Sequence, residues 1–177
     1  MSEHPCRINQ LGAVGWAGYK TRMGRDSQRF SGTIALPDGA ATEALGARIA
    51  AGLKRGDAVG LEGDLGAGKT TLARAVLRAL GVEENVPSPT FTLVQSYDTP
   101  RLFVRHYDLY RIESPGELEE LGLDEALDEG AALIEWPERA EGRLPSDMLH
   151  VKLAIEGDTS RRADLSGDLR WRDALMG

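Results

Sequence analysis

The sequence has few of the residues that form disulfides or bind structural metal ions. Its 177 residues include one cysteine, Cys6, which excludes an internal disulfide and fits a reducing cytoplasm. The three histidines stand far apart, without the spacing of metal ligands. We therefore expect a cytoplasmic protein that folds around an apolar core, without a structural zinc site.

Long apolar runs are missing as well. No stretch approaches the ~18 apolar residues that a membrane-spanning helix needs. Residues 1–29 lack the apolar centre of a signal peptide. Hydrophobic residues make up 41% of the chain and charged residues 28%, which is ordinary for a soluble globular protein. We expect no association with membranes.

Basic residues are scarce in the main body of the chain. Residues 1–30 carry five basic and two acidic side chains (net +3), whereas residues 31–177 carry 16 basic and 26 acidic ones (net −10). Residues 113–138 hold ten carboxylates and neither lysine nor arginine. Since proteins that bind nucleic acid alone usually present a basic patch, we expect no independent tight binding of RNA or DNA. The acidic run is a solvated helix face or a docking surface for a basic partner.

Residues 1–30 differ from the rest, being glycine-rich, basic and without hydrophobic periodicity. They are predicted to form a disordered extension. Alternatively, translation starts at Met23, which would leave only a short leader. Residues 31–177 are predicted to form a single domain.

Strand-like and helix-like patterns alternate within that domain. A helix is expected to open at Thr42, a second to follow a glycine-rich turn near Lys69, and a third to begin at the capping box Ser114–Glu117. Two strand-like runs joined by a short turn suggest a hairpin, and a second hairpin follows Leu149. The predicted fold is α/β, with a mixed sheet that combines a parallel core and antiparallel strands. The main predicted strands are Thr33–Leu36, Ala58–Glu62, Thr90–Tyr97, Leu102–Tyr110, Ala131–Trp136 and Leu149–Ile155.

One motif dominates the functional interpretation. Eight consecutive residues match the Walker A pattern G-x-x-x-x-G-K-[ST] in full, between a predicted strand and an amphipathic helix. They are Gly63, Asp64, Leu65, Gly66, Ala67, Gly68, Lys69 and Thr70. This is a strong signal for a nucleoside triphosphate site.

The chemistry of phosphate binding explains the spacing. Gly66 and Gly68 allow backbone N–H groups to converge on phosphate oxygens, and the helix that starts near Lys69 adds the positive end of its dipole. Lys69 is placed to reach the β- and γ-phosphates, and the Thr70 hydroxyl to bind Mg²⁺. We therefore predict ATP and Mg²⁺ as ligands.

A second carboxylate should complete the metal site. Glu135 ends the apolar run 131–134, which would place it at the carboxyl edge of the sheet, and Asp108 lies in the strand-like run 102–110. Both are candidates, with an ordinary strand-end acid as the alternative. Thr90 follows Ser88-Pro89 in a loop that resembles a γ-phosphate switch, although a simple turn residue is nearly as plausible.

Other phosphate-loop enzymes are less well supported. No N-K-x-D or T-K-x-D sequence follows to read guanine, which argues against a GTPase. The chain lacks the clustered arginines of a kinase lid between the phosphate loop and Glu135. A kinase, or a binding module that uses ATP as a structural ligand, remains an alternative to an ATPase.

Several ordered blocks resemble those of the bacterial TsaE family, the small ATPase of threonylcarbamoyladenosine synthesis on tRNA. The resemblance extends from about Thr33 to Leu165. Its blocks are the phosphate loop through Thr71, Ser88-Pro89-Thr90-Phe91, His106-Tyr107-Asp108-Leu109-Tyr110-Arg111 and Ile134-Glu135-Trp136-Pro137-Glu138.

The resemblance implies a fold and a set of roles. It implies a P-loop NTPase-like fold with antiparallel strands added to a parallel core. Asp108 matches an essential aspartate, Glu135 a metal-linked glutamate, and Trp136 a tryptophan important for activity. It also implies TsaB and TsaD as partners, with ATP hydrolysis supporting repeated cycles of tRNA modification. We expect hydrolysis by the chain alone to be slow and to be activated by these partners.

Three further residues are candidates for contact with the nucleotide. Trp136 would either pack in the core or stack near the nucleotide or a partner, and the resemblance favours the second. Arg161, like Arg162, lies at a predicted hairpin turn and would either stay solvated or swing toward phosphate. The turn Pro37–Thr42 is a candidate seat for adenine, which makes Thr42 a possible contact.

Overall fold

The computed structural model describes residues 29–140 and 142–177. The predicted extension, residues 1–30, lies outside the described residues except for Arg29 and Phe30, which open the first strand. The alternative start at Met23 lies outside them too. No helix within the two described ranges is long and apolar enough to cross a bilayer.

The described elements alternate between strands and helices, with a short 3₁₀ helix at Pro137–Ala140. The strands are β1 (Arg29–Leu36), β2 (Ala58–Glu62), β3 (Val94–Asp98), β4 (Phe103–Asp108), β5 (Ala131–Glu135), β6 (Leu149–Ile155) and β7 (Arg161–Asp168). The helices are α1 (Gly39–Gly52), α2 (Lys69–Ala79), α3 (Pro115–Glu120), α4 (Leu123–Glu129) and α5 (Arg170–Met176).

All seven strands join in one sheet of order β1-β7-β6-β2-β5-β4-β3. The central four strands, β6, β2, β5 and β4, run parallel to one another. Antiparallel pairs extend the sheet on both sides, with β3 beside β4 and with β7 between β6 and β1. The predicted fold class is confirmed, including both hairpins.

Two apolar clusters cover the two faces of the sheet. On one face, α1, α2 and α5 contribute side chains such as Leu45, Leu72 and Trp171 to the larger cluster. The other face is covered by α3 and α4, with Leu118 and Leu127 in the smaller cluster. Strands β2 and β5 are buried on both faces, which explains their unbroken apolar runs. Because both are parallel, their carboxyl ends meet at one edge of the sheet.

The first helix begins earlier than its sequence pattern suggested. It starts at Gly39, not at Thr42, because the Asp38 side chain caps it by accepting a hydrogen bond from the Ala41 backbone N–H at 2.9 Å. Thr42 lies in the first turn, where its hydroxyl donates to the Asp38 carbonyl at 3.3 Å.

Strand boundaries also differ from expectation. β1 begins at Arg29 rather than Thr33, and β4 covers Phe103–Asp108 rather than Leu102–Tyr110. Two further differences occur at residues with positive φ. β3 begins at Val94 rather than Thr90, since Leu93 has φ +64° and its N–H bonds to the Pro89 carbonyl at 2.6 Å. β5 ends at Glu135, since Trp136 has φ +58° and leaves the strand direction. Left-handed backbone at such residues has no signature in a hydrophobic pattern.

Candidate functional site

The loop of residues 63–68 connects β2 to α2 at the carboxyl edge of the sheet. Gly68 adopts a left-handed conformation (φ +107°) and forms the N-cap of α2, whose first turn contains no acidic residue. A Cβ atom at Gly66 or Gly68 would meet no atom within 4 Å, so both glycines border open space. Free N–H groups at a helix N-terminus beside such space form an anion site. The loop therefore fits a phosphate group.

Gly63 is required by the fold at the entrance to this loop. It has φ +129°, and a Cβ there would overlap the backbone carbonyl of Leu153 in β6. We expect Gly63→Ala to lower the free energy of unfolding by about 2–4 kcal/mol, because strain and overlap add. Urea unfolding followed by circular dichroism measures the effect.

Gly39→Ala is the matched control for that variant. A Cβ at Gly39, at the start of α1, would meet no atom within 4 Å, so we expect a change within about 0.5 kcal/mol. Equal stability of the Gly63→Ala variant and the wild type would contradict the close approach of β6 to the loop.

Lys69 is held inside the loop by backbone carbonyls. Its side chain is nearly buried, and its Nζ donates to the carbonyls of Gly63 at 2.7 Å and Asp64 at 2.9 Å. Burial lowers the pKa of Lys69, and the nearby charges of Glu135, Glu138 and Asp108 oppose that shift. A phosphate beside Nζ would further favour the charged form, as expected for a phosphate-binding lysine.

Trp136 covers the same ammonium group. The Lys69 Nζ lies 3.7 Å from the centre of a Trp136 ring, and the Tyr110 ring lies 5.0 Å from Trp136 on a tilted plane. The left-handed backbone of Trp136 turns the side chain out of β5, while its N–H stays bonded to the Leu61 carbonyl at 3.1 Å. The tryptophan thus stands beside the Lys69 ammonium group.

We expect ATP binding to change the fluorescence of Trp136, because a triphosphate at Lys69 alters the charge next to the indole ring. Titration of the protein with ATP, with emission recorded at each step, measures this change. The response should disappear in Trp136→Phe and persist in Trp171→Phe, since Trp171 is fully buried in the larger cluster. A full response in Trp136→Phe would contradict this placement.

The two predicted carboxylates stand side by side. Asp108 and Glu135 are direct partners in the register of β4 and β5, and both are almost fully buried. Glu135 Oε2 accepts a hydrogen bond from the Thr70 hydroxyl at 2.9 Å, and Glu135 Oε1 lies 2.9 Å from His106 Nε2. The structure therefore joins the end of β5 to the first turn of α2.

The Thr70–Glu135 pair fits a magnesium ion. A hydroxyl and a carboxylate are hard oxygen donors of the kind that Mg²⁺ takes from phosphate-loop proteins. Across the described ranges, no group of three or more His, Cys, Asp or Glu side chains could hold a metal unaided. Magnesium sites of this class need no such cage, because phosphates and waters supply the other ligands.

Asp108 contacts the loop that contains Thr90. Its Oδ2 accepts from the Thr90 hydroxyl at 2.7 Å and from the Ser88 hydroxyl at 3.4 Å, and its Oδ1 accepts from the Tyr110 N–H at 3.1 Å. Thr90 thus lies beside Asp108, and its contact with the γ-phosphate or Mg²⁺ stays a prediction. Asp108 links β4 to the Ser88–Thr90 loop.

The remaining candidates occupy different surroundings. Arg161, at the start of β7, donates to the carbonyls of Ala67 at 3.2 Å and Gly66 at 3.4 Å, so it braces the loop from outside. Arg162 instead pairs with Glu156 and Asp164. The Thr42 hydrogen bonds recorded within the described ranges go to Asp38 and do not reach the loop.

Sequence reasoning missed three participants. His106 belongs to the block 106–111 without a role of its own in the sequence analysis, yet it contacts Glu135. Ser88 bonds to Thr90, and Tyr110 stacks beside Trp136. All three belong to blocks that support the family resemblance, and that membership was the one available signal. Their contacts link residues 2 to 29 positions apart in sequence.

Comparison with known sequences supports the resemblance. A family model described as "Threonylcarbamoyl adenosine biosynthesis protein TsaE" matches residues 36–163. Proteins named tRNA threonylcarbamoyladenosine biosynthesis protein TsaE are similar to the chain. The Rickettsia bellii protein is 41% identical over 121 residues, which are 68% of this chain and 84% of that protein. The Bacillus subtilis protein is 42% identical over 121 residues, 68% of this chain and 75% of that protein.

Comparison with solved structures supports the fold. The crystal structure of Bacillus subtilis YdiB superposes with a TM-score of 0.70 at 31% sequence identity. The match covers 84% of this chain and 93% of that one. The similarity in structure therefore extends over most of the sheet and the helices that position the site.

Proposed function

The chain belongs to the TsaE family, and from this premise we propose that it is an ATPase. We propose that it binds ATP with Mg²⁺ and hydrolyses it in support of threonylcarbamoyladenosine modification of tRNA. The proposal rests above all on one arrangement, a glycine-rich loop that holds Lys69 next to the Thr70–Glu135 pair. A family model named for this pathway matches residues 36–163, and relatives named for it are similar to the chain.

Each residue of the site has a role in this proposal. The loop N–H groups and Lys69 bind the phosphates, and Thr70 with Glu135 holds Mg²⁺, which neutralises phosphate charge when bound. In hydrolysis, the oxygen of a water molecule bonds to the γ-phosphorus, the bond from that phosphorus to the bridging oxygen breaks, and ADP leaves. Asp108 stands next to Glu135 and accepts a hydrogen bond from Thr90, so it can orient the Ser88–Thr90 loop, which we place facing the γ-phosphate.

We also propose that turnover is slow until partners of the TsaB and TsaD type bind. In the described structure, Arg161 reaches the loop and donates to the carbonyls of Ala67 and Gly66, so we infer that a partner supplies the group that stabilises transition-state charge. A group supplied in trans can add ~10³–10⁵ in rate. Leu65 on the loop and Phe91 beside Thr90 are 79% and 83% exposed, which suits contact with another protein.

Labelled ATP distinguishes the proposal from its alternatives. With ATP labelled at the γ-phosphorus, we expect Mg²⁺-dependent binding followed by release of the label as inorganic phosphate. Transfer of the label to an acceptor would instead identify a kinase. Partner association that depends on ATP but persists after loss of Asp108 and Glu135, with no release of label, would identify a nucleotide-gated binding module.

A further inference from the structure

We propose that His106 is a positioning residue of the magnesium site, which holds the Glu135 carboxylate in the orientation that meets Thr70. This inference rests on the proposed function, because it assigns a further residue to the same site. It concerns contacts among the protein's own side chains.

The alternation of β4 directs His106 toward that site. In β4, Tyr107 packs in the smaller cluster with α3 and α4, whereas Val104 packs in the larger cluster on the opposite face. His106 lies two residues from Val104, so it shares the face that α2 covers. Glu135 shares that face by the same reasoning, since Leu133 also belongs to the larger cluster.

Burial makes this contact more than incidental. The side chains of His106 and Glu135 are 0% and 3% exposed. A carboxylate in such surroundings needs hydrogen-bond donors, because water cannot replace them. His106 hydrogen-bonds to Oε1 of Glu135 and Thr70 to Oε2. The two donors together therefore fix the plane of the carboxylate.

The surroundings of the second ring nitrogen, Nδ1, indicate which nitrogen of His106 carries the proton. Nδ1 is buried and has no hydrogen-bond partner among the described residues. A proton on Nε2 is therefore donated to Glu135, whereas a proton on Nδ1 would be a buried donor without an acceptor. His106 acts as an N–H donor to a metal-binding carboxylate, and the ring faces Glu135 without itself supplying a ligand.

Loss of the His106 donor should lower the affinity for Mg²⁺ more than the affinity for the nucleotide. Partners that orient a metal ligand typically contribute about 10–100-fold in metal affinity. The phosphate loop and Lys69 make no recorded hydrogen bond to His106 within the described ranges, so nucleotide binding without metal should be preserved. If His106 only packed in the core, its replacement would change the affinity for Mg²⁺ and the affinity for the nucleotide alike.

The test uses the full chain and a fluorescent ATP analogue, with His106→Leu and His106→Gln as the variants. Affinity is measured in EDTA and across a Mg²⁺ titration. We expect His106→Leu to raise the Mg²⁺ concentration for half-maximal binding about tenfold or more, with affinity in EDTA within about twofold of wild type. His106→Gln, whose amide can replace the Nε2 donor, should restore the midpoint to within about threefold.

A double-mutant cycle with Glu135→Ala completes the test. If His106 acts through Glu135, His106→Leu should not change the Mg²⁺ midpoint further in the Glu135→Ala background. Should His106→Leu fail to fold by circular dichroism, His106→Asn takes its place, because its shorter amide does not reach the Nε2 position.

Three results would overturn the role of His106. They are an unchanged Mg²⁺ midpoint in His106→Leu, an equal loss of affinity in EDTA, and a full additional effect in the Glu135→Ala background. A wild-type chain without any Mg²⁺-dependent ATP binding would instead refute the proposed function. The two failures are therefore distinguishable.

Discussion

Lys69→Ala is expected to reduce the rate of ATP hydrolysis by about 10²–10³-fold, the usual effect of removing one donor that stabilises transition-state charge. The Lys69 ammonium is held at the mouth of the loop by the Gly63 and Asp64 carbonyls, where no other lysine of the described structure lies. Phosphate release, measured at saturating ATP and Mg²⁺, gives the rate.

Lys54→Ala is the matched control for this variant. Lys54 is an exposed lysine in the turn between α1 and β2, and its replacement should leave hydrolysis unchanged. Both variants should keep the melting temperature of the wild type within a few degrees. Normal turnover by Lys69→Ala would rule out the phosphate-loop assignment.

Glu135→Gln should remove most of the dependence of ATP binding on Mg²⁺. The amide keeps the size of the side chain but loses the negative charge that a hard cation requires, so we expect the Mg²⁺ midpoint to rise about 100-fold. Affinity in EDTA should change little, since Glu135 contacts Thr70 and His106 rather than the loop carbonyls. Calorimetric titration with ATP at several Mg²⁺ concentrations measures both quantities.

Glu120→Gln provides the comparison, because it removes an exposed carboxylate of α3. We expect the magnesium titration of this variant to follow that of the wild type. If Glu135→Gln also does so, Glu135 neither binds the metal nor supports a ligand.

The phosphate loop and the sheet were predictable from sequence for physical reasons. A loop that binds phosphate needs glycines at fixed positions, and strands buried on both faces need unbroken apolar runs such as those of β2 and β5. The alternation in β6 likewise identified a strand with one buried face. These features depend on residues that are close in sequence, so they can be identified without knowledge of the tertiary contacts.

Features that depend on tertiary contacts were harder to predict. The pairing of His106 with Glu135 joins residues 29 positions apart and depends on the register of β4 and β5. The positive φ of Trp136 places its ring over Lys69, yet a tryptophan after an apolar run looks like the end of a strand. Similarly, the Asp38 cap moved the start of α1 three residues ahead of the hydrophobic pattern.

Contacts with a ligand are also hard to predict from sequence, as Arg161 and Thr42 illustrate. From sequence alone both were candidates for contact with the nucleotide, with a solvated turn arginine as the alternative for Arg161. The structure brings Arg161 to the loop, where it donates to the Ala67 carbonyl. Thr42 lies in α1 with its hydroxyl bonded to Asp38. Contact of either residue with ATP stays a prediction, which alanine variants in a binding assay would test.

Phosphate release from ATP by the purified chain shows whether partner proteins activate hydrolysis, as we propose. The rate is measured for the chain alone, with TsaB and TsaD together, and with the Lys69→Ala variant in the same mixture. We predict slow release alone, clear stimulation by the pair, and no stimulated release with Lys69→Ala. Tight ATP binding without any stimulation of phosphate release by the pair would contradict the proposed activation by partners.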